Sequence, residues 1–281
     1  MLKGIHILLT YTCTYECDHC FLHCGPERNG TFTLEQLRAL FAEIKKIESV
    51  ETVYFEGGEA FMFHPLLVEG LRMTRRAGLK SGVVTNCYWA TTREDARLWL
   101  EPLRELGVAD LSVSDDEFHG STEPDSPPKI ARAAAEELGI PCDTICIDPQ
   151  DVYHRGRAAD KLIAGLPARP AGEFTTCPHE PLGDPERVHV DAFGNVHICQ
   201  GISMGNMWVT PLSRLVREYE AARHPICGPL VAGGPAQLAR QHGLELSDGF
   251  VDECHYCYAA RRALLPRFPE LLAPKEVYGL P

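Results

Sequence analysis

Three cysteines stand close together near the start of the chain. Cys13, Cys17 and Cys20 lie in TYTCTYECDHCFLHC, directly behind the apolar run at 5–9. Three thiolates on one loop can hold three irons of a four-iron cubane and leave the fourth iron without a protein ligand. A structural metal site fills its coordination shell, whereas a site left one ligand short is open to substrate. Cys24 follows four residues later, so a zinc site made of Cys13, Cys17, Cys20 and Cys24 is the competing reading. Zinc knuckles, however, more often pair two separated CxxC hairpins than crowd one loop. A disulfide framework is disfavoured, because 12 cysteines in 281 residues fall well short of the roughly 8–10% typical of short disulfide-rich chains.

A second set consists of Cys177, Cys199, Cys254 and Cys257. Two cysteines bracketing a hairpin, joined by a distant CxxC, make a four-thiolate site that suits zinc and an iron–sulfur cluster equally. Cys227 is the spare thiol and reads as a small buried hydrophobe.

The elements that must position these cysteines read as repeated strand–helix units. Strand patterns fall at 4–9, 52–55, 81–85, 111–114 and 142–147, with helical spacing of apolar residues at 34–47, 65–77, 93–106 and 129–138 between them. Thr33 ahead of Glu35 and Gln36 predicts a capped helix start. Such units predict a parallel sheet curling into an open barrel. A sixth strand is expected near 151–154, and six are too few for a closed eight-stranded barrel. The site then belongs at the C-terminal ends of the strands. The proline and glycine cluster GLPARPAG at 165–172 marks a boundary, dividing the chain into 1–165 and 166–281. Beyond it, 188–190 and 196–198 alternate around AFGN as a β-hairpin. A helix near 212–222, a Gly/Pro-rich loop near 228–235 and a helix opening at the Cys254–Cys257 pair follow.

With FEGGEA at 55–60 behind the second strand, the CxxxCxxC loop resembles the radical S-adenosylmethionine (SAM) superfamily. The resemblance implies an α/β fold, a partial (β/α)6 TIM-like barrel. It implies that Cys13, Cys17 and Cys20 bind a [4Fe-4S] cluster whose open iron is chelated by SAM. SAM is then cleaved to a 5′-deoxyadenosyl radical, which takes a hydrogen atom from substrate. Carried onto this chain, the SAM contacts fall on Gly57, Gly58 and Glu59, on the backbone at His19, and on Thr85, Asn86, Ser112 and Ser114. Cys87 stands where the family commonly has glycine, and Ser114 where it has aspartate. Arg155 and Arg157 are candidates for a bidentate contact to the SAM carboxylate. Asp115 and His119 are candidate bases after hydrogen abstraction, and Cys87 either takes part at the barrel mouth or simply packs.

The second cysteine set resembles the auxiliary-cluster region called SPASM, or its shortened twitch form, a small domain with a β-hairpin and a helix. No cysteine follows Cys257, which implies one auxiliary [4Fe-4S] cluster. The arrangement is similar to that of a twitch-type small-molecule dehydrogenase, a radical SAM oxidoreductase whose auxiliary cluster accepts an electron from the substrate radical. The alternatives are a maturase acting on a ribosomal peptide or protein side chain, and a non-enzymatic two-cluster electron-transfer protein. The expected partners are a small-molecule or peptide substrate and a low-potential donor such as a flavodoxin or ferredoxin.

Composition narrows these classes. A formal net charge of −12 argues against nucleic acid as the main partner, since phosphate binding needs a basic face. No apolar run approaches the roughly 18–20 residues of a membrane span. The first strand begins almost at once, without a signal-peptide layout, and many free thiols point to a reducing, cytoplasmic setting low in oxygen. Only a few residues precede that strand, so no N-terminal peptide-recognition domain is expected within this chain.

Overall fold

The structure, a computed structural model, describes residues 1–119, 123, 125–247 and 249–280. Its first strand explains its own burial. In β1 (Gly4–Thr10), Ile5, Ile7 and Leu9 enter one core beneath the helices while Leu8 enters a second. A strand covered on both faces reads as a near-continuous apolar run. Around it stand β2 (Thr52–Gly57), β3 (Lys80–Thr85), β4 (Asp110–Ser114) and β5 (Cys142–Ile145). These strands alternate with α1 (Leu34–Ile44), α2 (His64–Arg76), α3 (Arg93–Leu106) and α4 (Pro127–Leu138). The predicted cap of α1 is present as a capping box: Gln36 N donates to Thr33 Oγ1 at 3.1 Å, and Thr33 N donates to Gln36 Oε1 at 2.8 Å.

After β5 come a single helical turn, α5 (Ala158–Lys161), and β6 (Arg169–Pro170). The hairpin strands β7 (Arg187–Asp191) and β8 (Asn195–Cys199) follow, then β9 (Ile202–Asn206). The rest of the chain comprises α6 (Leu212–Glu218), α7 (Cys227–His242), β10 (Gly249–Phe250, paired with β6) and α8 (Glu253–Leu264). The main sheet runs β5-β4-β3-β2-β1-β7-β8-β9. Its pairings are parallel from β5 through β7 and antiparallel from β7 to β9.

The partial barrel therefore has six parallel strands, but the sixth is not the expected one. Residues 151–154 form no strand. They carry Asp151 at a turn and lead into contacts with the cysteine loop described below. The sixth place is taken by β7, on the far side of β1. The loop expected at 228–235 is also corrected: it lies inside α7, which kinks at Gly233 and Gly234. No helix among the described residues is long and apolar enough to cross a membrane.

Asp191, at the end of β7, ties the hairpin to the first strand. Its fully buried carboxylate accepts from Tyr11 Oη (3.0 Å), Asn195 N (2.8 Å) and Asn195 Nδ2 (2.9 Å), with His197 Nε2 at 3.1 Å. Buried donors stripped of their acceptor cost the full desolvation penalty. Asp191→Ala is therefore expected to lower stability by about 3 kcal/mol and Tyr11→Phe by about 1 kcal/mol, read as a drop in the urea midpoint with unchanged slope.

Candidate active site

The C-terminal ends of the parallel strands surround a cavity of about 570 Å³, within the ordinary range for a ligand site. Cys13, Cys17 and Cys20 line it, and so does Cys24. The loop is pinned at its base by Cys13 N donating to Gly25 O at 3.1 Å, and is turned by Cys20 N donating to Cys17 O at 3.0 Å. Cys13 Sγ accepts from Tyr15 N (3.4 Å) and Asn86 Nδ2 (3.5 Å). Burial pushes the Cys13 thiol up to about 11 and the Cys17 thiol up to about 12. A hydrogen bond with the Cys24 thiol brings Cys20 down to about 6. A metal binding here must displace protons from the first two, and its own charge is what makes that favourable.

The GGE turn packs directly on this loop. Gly58 N donates to Thr10 O at 2.7 Å and Glu59 N to Thr12 O at 2.9 Å. A Cβ on Gly57 would sit 2.3 Å from Thr10 O, and one on Gly58 would sit 2.2 Å from Thr12 O. Gly57 also has φ of +141°, so close approach requires both glycines and backbone conformation requires Gly57 as well. Both line the cavity, but Glu59 does not. Its buried carboxylate is a brace, accepting from Phe61 N (3.0 Å), Thr85 Oγ1 (2.9 Å) and Asn86 N (2.7 Å). Burial pushes it up to about 7 against the pull of those donors.

The other expected contacts divide. His19, Thr85, Asn86, Ser114, His119 and Arg155 line the cavity. Ser112 does not: it sits lower in the barrel and donates to Asp110 Oδ2 at 2.8 Å. Cys87 does not reach it either. It turns under at φ +62°, fully buried, and its sulfur faces Thr85 O at 3.8 Å. Asp115 is also displaced: its backbone N donates to Ile145 O, and its neighbour Asp116 lines the cavity instead. Asp116 Oδ1 lies 2.7 Å from His119 Nδ1, and its Oδ2 accepts from Ile147 N at 3.3 Å. Burial works to raise Asp116, but the His119 contact outweighs it and holds the group below the usual carboxylate range.

Cys177, Cys199, Cys254 and Cys257 line one small second pocket, together with Arg155 and Arg261. Cys199 ends β8, and Asp252 caps α8 through its acceptance from His255 N at 2.6 Å, which sets the first turn carrying Cys254 and Cys257. Burial raises the Cys177 and Cys254 thiols and pushes Cys257 up to about 12, with Arg261 opposing it. Cys227 stands apart, its thiol hydrogen-bonded with the Tyr219 hydroxyl. Four thiolates around one zinc at about 2.3 Å would bring the sulfurs within about 4 Å of one another. Among the described residues no three cysteines bring their sulfurs within 4.8 Å.

The two sites meet at Arg155, which lines both, in the stretch from His154 to Arg157. His154 N and Nδ1 lie 3.0 and 2.8 Å from Asp252 Oδ2. Arg155 Nη1 donates to Cys199 Sγ at 3.2 Å, and its guanidinium lies 5.2 Å from the Phe21 ring centroid. Gly156, at φ +59°, packs where a Cβ would meet Phe21 Cα at 2.4 Å. Arg157 donates from N to Cys20 O (2.9 Å), from Nη1 to Cys17 O (2.7 Å) and from Nη2 to Cys24 O (2.6 Å). Arg157 is thus a clamp on the loop and is absent from the cavity lining. Sequence reading did not single out Cys146 or Glu56, which both line the cavity. Glu56 lies 3.0 Å from His189 Nε2 and 3.4 Å from His6 Nδ1 across β2, β1 and β7, a strand-to-strand juxtaposition without a local motif.

A family model described as the radical SAM superfamily matches residues 7–151. Among curated proteins, the chain is 26% identical over 117 residues to the "Putative peptide biosynthesis protein YydG" of Bacillus subtilis (strain 168), covering 42% of this chain and 37% of that one. It is 36% identical over 78 residues to the antilisterial bacteriocin subtilosin biosynthesis protein AlbA of the same organism, covering 28% and 17%. The matched stretches thus span well under half the length of these relatives. Among solved structures, BtrN in complex with AdoMet and 2-DOIA superposes with a TM-score of 0.52 at 16% identity, over 78% of this chain and 83% of that one. Native anSMEcpe with bound AdoMet gives 0.50 at 14% identity, over 96% and 98%. At such identities the likeness is one of fold.

Gly156→Ala forces a left-handed alanine against backbone, and is expected to cost about 2 kcal/mol and to reduce iron uptake by the Cys13–Cys17–Cys20 loop, read by melting temperature and iron content. Glu59 generates a pH signature. Its folded-state carboxyl is raised from 4.5 to about 7, so the folded protein holds a proton the unfolded chain has released. Stability should fall as pH rises across that window; in Glu59→Gln that slope should vanish, and a retained slope would assign it to other groups.

Proposed function

The chain belongs to the radical SAM superfamily, and on that premise we propose that it oxidises a peptide substrate by hydrogen-atom abstraction, aided by one auxiliary [4Fe-4S] cluster in a twitch-like segment at 166–281. Membership implies SAM and a [4Fe-4S] cluster as cofactors; when bound, they supply a 5′-deoxyadenosyl radical. Cys13, Cys17 and Cys20 are the residues that would hold the cluster. The fit rests on a cavity with all three thiols in its wall and on a glycine turn that any Cβ would fill. Cys177, Cys199, Cys254 and Cys257 would hold the auxiliary cluster. Their sulfurs are spaced too widely for one zinc, and the pocket contains a buried donor, Arg261 Nε, that has no acceptor among the described residues.

The observation that carries this reading is the shared wall. An open three-cysteine loop and a closed four-cysteine pocket meet at Arg155, which lines both. An electron leaving a substrate in the cavity has a short route to the second set. Asp116 and His119 stand in the cavity wall as a hydrogen-bonded pair, suited to take the proton that leaves with it. The strand ends and the cysteine loop frame this space, and the chain's contribution is orientation.

The substrate class rests on the relatives named for peptide and bacteriocin biosynthesis. The small-molecule substrate expected from the cysteine arrangement, in the form of a small alcohol, is the second reading, favoured by the single four-cysteine set. The electron donor we propose is a flavodoxin or ferredoxin. Under anaerobic conditions with SAM and dithionite, the wild type should release 5′-deoxyadenosine and Cys13→Ala none; release from the variant would refute the cluster assignment. Iron should fall from about eight to about four per chain when Cys177, Cys199, Cys254 and Cys257 are replaced by Ala. Co-expression with a short peptide encoded beside the gene should remove a pair of hydrogens from that peptide; an unaltered peptide mass turns the reading to a small alcohol.

A further inference from the structure

We infer, on the cluster reading just proposed, that Arg155 and Arg261 set the reduction potential of the auxiliary site and hold it high enough to take an electron from a substrate-derived radical. The charges around this pocket do not balance without a further anion. Two carboxylates line it, Glu180 and Glu253, and each has an arginine elsewhere: Glu180 Oε2 is 3.2 Å from Arg187 Nη2, and Glu253 Oε1 is 3.1 Å from Arg169 Nη2. Arg155 reaches Glu180 only at 3.7 Å, with its nearer contact the sulfur of Cys199.

Arg261 has no carboxylate within ion-pair distance among the described residues. It is 1% exposed, its Nη1 donates to Gln200 O at 2.7 Å, and its Nε–H has no acceptor. Its guanidinium also lies 5.7 and 5.6 Å from the ring centroids of Tyr258 and Tyr278. An unpaired buried cation is among the most costly things a fold can hold. A four-thiolate iron–sulfur site supplies the missing counter-charge, and its sulfurs supply the missing acceptor.

The redox consequence follows from the sign of that charge. One-electron reduction takes a four-cysteine [4Fe-4S] site from a dianion to a trianion. Fixed positive charge and N–H···S hydrogen bonds both favour the more negative form, so both raise the potential. In a dry pocket the effect is stronger than at the surface. During oxidation the substrate radical loses one electron to this site and one proton to the cavity, so the two arginines act on the electron alone. Arg261 lies outside the cavity wall and Arg155 bonds the Cys199 sulfur, so both act through the auxiliary site and are positioning residues.

The test needs no substrate. Full-length protein with Cys13, Cys17 and Cys20 replaced by Ala would be reconstituted anaerobically with iron and sulfide, leaving only the auxiliary site, and titrated with dithionite under electron paramagnetic resonance. Arg155→Gln and Arg261→Gln should each move the midpoint potential to more negative values, with the larger shift at Arg261. Arg155→Lys and Arg261→Lys keep the charge without the fork and should fall between. If the parent takes up no iron, the auxiliary-cluster reading fails. If it loads and both Gln variants titrate at the parent's potential, the role of the arginines is refuted. Should a Gln variant not hold iron, its Lys counterpart decides: a negative shift supports the role, an unshifted potential overturns it.

Discussion

Arg157 reaches into the protein's most reactive loop and holds it by backbone carbonyls. Its guanidinium spans Cys17 O and Cys24 O while its own N–H bonds Cys20 O. A charge-assisted fork of this kind fixes direction as well as distance. Residue 156 is glycine because the strap lies flat on Phe21, and residues 154 and 155 carry the same strap to Asp252 and Cys199. Much of the remaining architecture serves this junction. β7 joins β1 rather than β5, which brings Cys199 near the strap, and one continuous core contains Leu8, Cys13, Cys24, Cys199 and Cys257.

Both cysteine groups illustrate the same tension. Burying thiols raises their proton affinity, so a sheltered site resists the ionisation that metal binding needs. The fold lowers that cost in two ways. Hydrogen bonds from Tyr15 N and Asn86 Nδ2 reach Cys13, and Cys24 acts on Cys20. In the second pocket, guanidinium groups do the corresponding task. Cys24, the fourth thiol that raised the possibility of zinc, serves as a hydrogen-bond partner inside the loop.

Much of the barrel was legible in the sequence because its signals are local. The apolar runs and the amphipathic helices between them carry their own periodicity, and Thr33 with Gln36 spells a cap within four residues. The cysteine spacings were legible for the same reason. What escaped depends on distance. Residues 151–154 have a strand-like look but spend their contacts elsewhere: Asp151 N on Asp148 O, Tyr153 on the His179 ring and His154 on Asp252 at the start of α8. The 228–235 stretch is rich in glycine and proline, yet tertiary packing keeps it helical on both sides of one kink. Which acid faces the cavity, Asp115 or Asp116, turns on a single residue of register at the end of β4. Glu59, read as a SAM contact, and Cys87, read as acting at the barrel mouth or packing, are both tied inward through Thr85. The His6–Glu56–His189 grouping draws on three strands and has no sequence signature.

The clamp on the first loop has a corollary. Because Arg157 recognises carbonyl oxygens, the identities of Tyr15, Glu16, Asp18 and His19 are not what keeps the loop in shape. Tyr15 and His19 instead pack their rings against the Phe118–His119 turn, a contact separate from the clamp. Substitution of those side chains is therefore expected to leave the backbone clamp of Arg157 intact.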